Sequence, residues 1–193
     1  MYAAFTSTER DRTIISFEER HPYYAPWVKA LFWTGARPEE LAALRWQHIS
    51  PDFQEILIAE ALPIGSTEAQ TTKNRRITRF PCNHRLQHLL QGQTLGSRQV
   101  DLSRDAFVFP GQNGGRLHYQ NFQRRFWRPL LLDLVESGQV AFYLSQYHAR
   151  HTWITLALEH LPVADVSYLA RVSTTVLYQH YAGKSRKILI PEF

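Results

Sequence analysis

The residues best suited to chemistry lie close to the C-terminus, between Tyr147 and Gly183. Tyr147, His148, Arg150 and His151 open this stretch, and Tyr178, His180 and Tyr181 close it, with Arg171 between them. Guanidinium groups remain protonated and pair in a fork with phosphate oxygens. A phenol hydroxyl can donate to such an oxygen or, once deprotonated, attack its phosphorus. The combination suits a side-chain hydroxyl presented to a bound phosphate. Three histidines, His148, His151 and His160, are close in sequence, but no carboxylate pattern of the His-Glu-x-x-His kind accompanies them. The reading is therefore no metal and no cofactor.

The elements that must position these groups are mostly helical. Ser145–Leu158, Val163–Leu169 and Thr174–Tyr181 have helical apolar spacing. Upstream, Tyr24, Trp27, Val28, Ala30, Leu31 and Phe32 recur at the same spacing until Gly35, a residue suited to a helix C-terminus. Pro38, Glu39 and Glu40 then start a further helix, the proline fitting a first helical position and the acids the positive end of its dipole. Asn83–Gln91 reads as a short helix capped by Asn83. Tyr119–Glu136 reads as a long helix bent or split at Pro129. Gln54–Ala59 and Arg75–Phe80 are strand candidates, with Thr71–Asn74 as a hairpin tip presenting Lys73, and Phe107–Phe109 is a brief extended run. Residues 1–18 are polar with little periodicity and read as a lead-in or linker. The expectation is a mainly α (α+β) domain over residues 19–193, with a small three-stranded antiparallel sheet and a tail from about residue 184.

Composition sets the class. The 193 residues include 44% hydrophobic and 20% charged, the balance of a folded soluble domain, and the net charge of +5 admits an anionic partner. The single cysteine, Cys82, excludes an internal disulfide and a cysteine-based zinc site. No apolar run approaches the roughly 20 residues of a membrane span, and no signal-peptide pattern opens the chain. A soluble, intracellular protein with no membrane contact is expected.

Three segments, in this order, resemble the tyrosine recombinase (phage integrase) family. The first is Thr34-Gly35-Ala36-Arg37-Pro38-Glu39-Glu40-Leu41, continuing to Leu44-Arg45-Trp46. The second is Thr72-Lys73-Asn74 followed by Arg75-Arg76, and the third joins Arg150-His151-Thr152 to His180-Tyr181-Ala182-Gly183. The resemblance spans roughly residues 20–185 and implies a DNA breaking-rejoining fold. It implies strand cleavage by a tyrosine to give a 3′-phosphotyrosyl link and a free 5′-hydroxyl, which a second 5′-hydroxyl then resolves. On the matching positions Arg37 and Arg150 are the phosphate arginines, Lys73 the proton donor to the leaving oxygen, and Tyr181 the nucleophile. Tyr178, in Ser173-Thr174-Thr175-x-x-Tyr, is the alternative nucleophile, and otherwise a packing residue. Glu40 and His151 are supporting residues.

The sequence departs from the family pattern twice. Tyr147 stands three residues before Arg150, where a histidine is usual, and can donate a hydrogen bond to phosphate. Val172 stands nine before Tyr181, where His or Trp is usual, with Arg171 as the neighbouring group that could reach the phosphate instead. The resemblance further implies double-stranded DNA as partner, a homo-tetramer on DNA from a free monomer, and a cytoplasmic, nucleoid-associated location. A DNA-binding protein of the same fold without strand cleavage is the alternative function.

Overall fold

The computed structural model describes residues 3–61, 70, 71, 77–95 and 103–181. Its architecture is mainly helical with a small antiparallel β component. The first helix, α1 (Ser7–Arg20), occupies the segment expected as a lead-in, which corrects that reading. Thr6 accepts from the Glu9 amide while the Glu9 carboxylate accepts from the Thr6 amide, closing both ends of a capping box. The buried side of α1 is only Thr13, Ile14 and Phe17, so its apolar period is faint in the sequence. It packs on α2 and α6, with Phe17 5.7 Å from the Trp127 ring.

Helix α2 (Ala25–Thr34) is buried on most of its circumference through Trp27, Val28, Leu31 and Phe32. It ends at Gly35, whose φ of 60° is left-handed. A side chain there would also meet Trp153: an added Cβ would lie 2.8 Å from its ring. The turn leads directly into α3 (Pro38–Ala42).

β1 (Glu55–Ile58) pairs antiparallel with β4 (Thr78–Pro81), Ile56 opposite Phe80, and β2 (Glu60–Ala61) pairs with β3 (Gln70–Thr71). The expected third strand at Phe107–Phe109 does not join this sheet; Phe107 makes a lone bridge to Arg45. The β component is thus two short two-stranded ladders among the described residues, not one three-stranded sheet. Asn83 caps α4 (His84–Leu95), accepting from the Leu86 amide.

Between Tyr119 and Glu136 the long helix is divided: α5 (Tyr119–Phe122), a π-type stretch over Gln123–Trp127, and α6 (Arg128–Glu136). The widened stretch lies just before Pro129, which has no amide to continue the regular ladder. Helices α7 (His148–His160), α8 (Val163–Ala170) and α9 (Thr174–Tyr181) follow. They enclose a second apolar cluster of Ile154, Val166, Ala170, Leu177 and Tyr181, next to the main core around Trp27, Phe17 and Trp127. Trp153 packs against both.

Candidate functional site

The site forms where the start of α3, the start of α7, the end of α8 and the end of α9 meet, and it is built on a buried carboxylate. Glu40, 3% exposed, accepts from the Arg37 amide at 2.7 Å and from Arg37 Nη1 at 2.8 Å. It also accepts from Arg171 Nε at 3.0 Å and Nη2 at 2.9 Å. Burial alone would raise its pKa; Arg171 first, then Arg37 and Arg150, outweigh that and hold it below the ordinary carboxylate value.

Arg171 is therefore tied to the Glu40 carboxylate. Its third contact is Nη1 to the Leu169 carbonyl at 2.6 Å. Its backbone is left-handed (φ 54°, ψ 44°), ending α8 so that the Ala170 carbonyl turns inward. Val172 packs against the second apolar cluster.

That inward carbonyl has a specific use. Arg150, only 3% exposed, donates from Nη1 to the Gly35 carbonyl at 2.9 Å and from Nη2 to the Ala170 carbonyl. Both acceptors sit at helix C-termini, where partial negative charge favours a cation. Burial, followed by the neighbouring Arg37 and Arg171 cations, nevertheless pushes the Arg150 pKa down to about 10. It remains a cation at neutral pH, and an arriving anion would relieve the crowding of three guanidinium groups.

Arg37 is the accessible member of the trio, its side chain 30% exposed. Burial works against its charge, but Glu40 and then Tyr147 hold its pKa above the usual value. The Tyr147 ring centroid is 5.3 Å from that of His151.

The two candidate nucleophiles differ sharply in setting. Tyr181 is 9% exposed, and its hydroxyl meets His151 Nδ1 at 2.5 Å. Tyr178 is 62% exposed, so it is a surface side chain and not the packing residue expected. Burial first, then His148, Arg150 and His180, lower the His151 pKa to about 4, leaving a neutral imidazole at pH 7. His148 turns to the Ser145 hydroxyl, 3.0 Å away. Lys73 and the tail from residue 184 lie outside the described residues. Among the described residues no cluster of His, Cys, Asp or Glu could hold a metal ion, and no helix is long and apolar enough to cross a membrane.

Arg37, Tyr147, Arg150, His151 and Tyr181 are thus drawn together, with Glu40 and Arg171 beneath them. The inward carbonyls of Gly35 and Ala170 are functional groups that side-chain reasoning missed; the only trace in the sequence is Gly35 itself.

The family model described as the phage integrase family matches residues 8–184. Among solved structures, a Tn1549 transposon integrase in complex with a circular intermediate DNA has a TM-score of 0.81 at 18% identity, covering 95% of this chain and 62% of that one. XerA recombinase gives 0.68 at 16% identity, covering 96% and 60%. Lambda integrase bound to DNA gives 0.65 at 11% identity, covering 98% and 64%. The chain therefore spans about three-fifths of the length of these chains. No curated protein sequence matches it significantly.

Proposed function

Because this chain belongs to the phage integrase family, we propose that it cleaves and rejoins double-stranded DNA strands through a 3′-phosphotyrosyl intermediate, with Tyr181 as nucleophile. The observation that carries this reading is the buried Tyr181 hydroxyl held at His151, next to the pinned Arg150 and near the Glu40-bound Arg37.

In this reaction the scissile phosphate sits over Arg37 and the remaining N–H groups of Arg150. Negative charge grows on the non-bridging oxygens as Tyr181 attacks, and fixed cations that need no rearrangement stabilise it. Arg150 cannot swing away, being pinned to two backbone carbonyls. Arg37 is oriented by Glu40, which is in turn held by Arg171. The Tyr147 hydroxyl adds a donor to a phosphate oxygen. Lys73 supplies the proton to the leaving 5′-oxygen. The bond energy is retained in the phosphotyrosyl link, so a second 5′-hydroxyl reseals the strand without a nucleotide cofactor. Double-stranded DNA is the partner, engaged mainly through phosphates, and four copies assemble on DNA from free monomers.

Duplexes enriched by binding from a random library, then nicked next to each candidate position, test the reading. A nick lets the short 5′ product diffuse away and leaves the protein attached. The expected result is a covalent protein–DNA adduct that survives detergent. Binding without any adduct across the enriched duplexes would instead identify a protein that grips DNA without cutting it.

A further inference from the structure

The Tyr181 hydroxyl must lose its proton as it attacks phosphorus, and the usual histidine three residues before Arg150 is replaced by Tyr147, itself a phenol and no base at neutral pH. We propose that His151 takes this proton, acting as general base toward Tyr181 in cleavage and returning the proton in rejoining. This rests on the assignment of Tyr181 as nucleophile.

Two features of the geometry support it, together with the charge state of the imidazole. His151 Nδ1 is 2.5 Å from Tyr181 Oη, so in the Nε2–H tautomer its lone pair already meets the reacting hydroxyl. The contact is held from both sides, since Tyr181 is anchored in the apolar cluster of α7, α8 and α9, and His151 lies on α7 next to Arg150, which is itself fixed. The imidazole is neutral at pH 7 and so has a lone pair to offer. Burial is the first cause of that neutrality, and the positive neighbours that add to it, Arg150 among them, would be offset by the scissile phosphate. Substrate binding thereby makes His151 a stronger base only when there is a bond to break.

The step balances. Tyr181 Oη forms a bond to phosphorus, its proton passes to His151 Nδ1, and the bond from phosphorus to the 5′-oxygen breaks. That oxygen leaves as a hydroxyl after receiving a proton from the acid on its own side, assigned above to Lys73. In rejoining, the incoming 5′-hydroxyl gives its proton back to the now neutral Lys73 amine, its oxygen bonds to phosphorus, the bond from phosphorus to the tyrosyl oxygen breaks, and that oxygen recovers its proton from His151.

The test uses the full chain and nicked duplexes in single turnover. H151Q keeps a hydrogen-bond acceptor near Tyr181 but cannot hold a proton, and H151A with added imidazole guards against a folding defect in the first variant. The expected result is DNA binding like wild type, with cleavage slowed roughly 100-fold or more in H151Q and partly restored by imidazole in H151A. A second duplex carries sulfur in place of the bridging 5′-oxygen, a leaving group that needs no acid. H151Q should remain slow on it, because the missing base acts on the other side of phosphorus. Cleavage by H151Q within about threefold of wild type would overturn the proposal, as would recovery on the sulfur duplex, which would make His151 the acid. Wild type giving no adduct at all would instead defeat the nucleophile assignment on which the proposal depends.

Discussion

Substituting Glu40 by glutamine tests the charge architecture under the site most sharply. The carboxylate is buried and accepts four hydrogen bonds, two from Arg37 and two from Arg171. Arg171 is buried as deeply, its side chain 3% exposed. Removing one partner of a buried ion pair leaves an uncompensated charge and costs about 3–5 kcal/mol. Glutamine keeps one acceptor oxygen but turns an amide NH2 toward a guanidinium, so the lower end, about 3 kcal/mol, is expected. With a urea slope of about 2–3 kcal/mol/M for a chain of this length, the unfolding midpoint should fall by about 1–1.5 M. The contrast is Asp133→Asn, which breaks a pair with Arg20 of 2.6 Å but half exposed on both sides, and should cost under about 0.5 kcal/mol. In a double-mutant cycle, Glu40→Gln and Arg171→Met should couple by more than about 1 kcal/mol, since the second change removes the charge stranded by the first. A Glu40→Gln protein with an unchanged midpoint, or an additive cycle, would refute the description of Arg171 as held by Glu40.

Gly35→Ala should destabilise by about 3 kcal/mol, lowering Tm by roughly 10 °C, because a left-handed residue gains a Cβ that collides with Trp153; a calorimetric scan checks it. The His151 pKa of about 4 lies below its unfolded value, so the unfolded chain binds the extra proton first. Stability is full above about pH 6.5 and falls as pH drops toward 4, and at pH 5.5 His151→Gln should remove about 1 kcal/mol of this dependence once solvent screening is allowed for. Urea midpoints measured between pH 5 and 7.5 on both proteins give the comparison. Cys82 is buried and its thiol is pushed up to about 11, mainly by burial. It should react with a thiol reagent at neutral pH only as fast as the chain opens, at least 10-fold slower than in urea.

Much of this arrangement was readable in the sequence, wherever a local signal existed. Gly35 marked the end of α2, Pro38 and the acids after it the start of α3, and Asn83 the cap of α4, because each acts within a turn of its own position. The Arg37, Arg150 and Tyr181 motifs single out side chains that the fold draws into one region, although motif fit alone could not say which of Tyr178 and Tyr181 turns inward. What failed was tertiary. Helix α1 was missed because it buries so few apolar residues, even though Thr6 and Glu9 carried the capping-box pattern. The sequence offers Arg171 only as a neighbouring group that could reach the phosphate, and gives no sign of its pairing with Glu40, which lies 131 residues away. The His151–Tyr181 contact joins residues 30 apart across two helices and has no local signature. The backbone carbonyls that pin Arg150 have none either, since every residue has one.

The central claim is that Tyr181, and not the exposed Tyr178, becomes joined to DNA. The direct measurement is peptide mapping of the protein trapped on a nicked duplex, with Tyr181→Phe and Tyr178→Phe proteins run alongside. The account predicts a nucleotide-bearing peptide containing modified Tyr181, no adduct from Tyr181→Phe despite normal DNA binding, and an undiminished adduct from Tyr178→Phe. An adduct mapped to Tyr178, or one that persists in Tyr181→Phe, would contradict it.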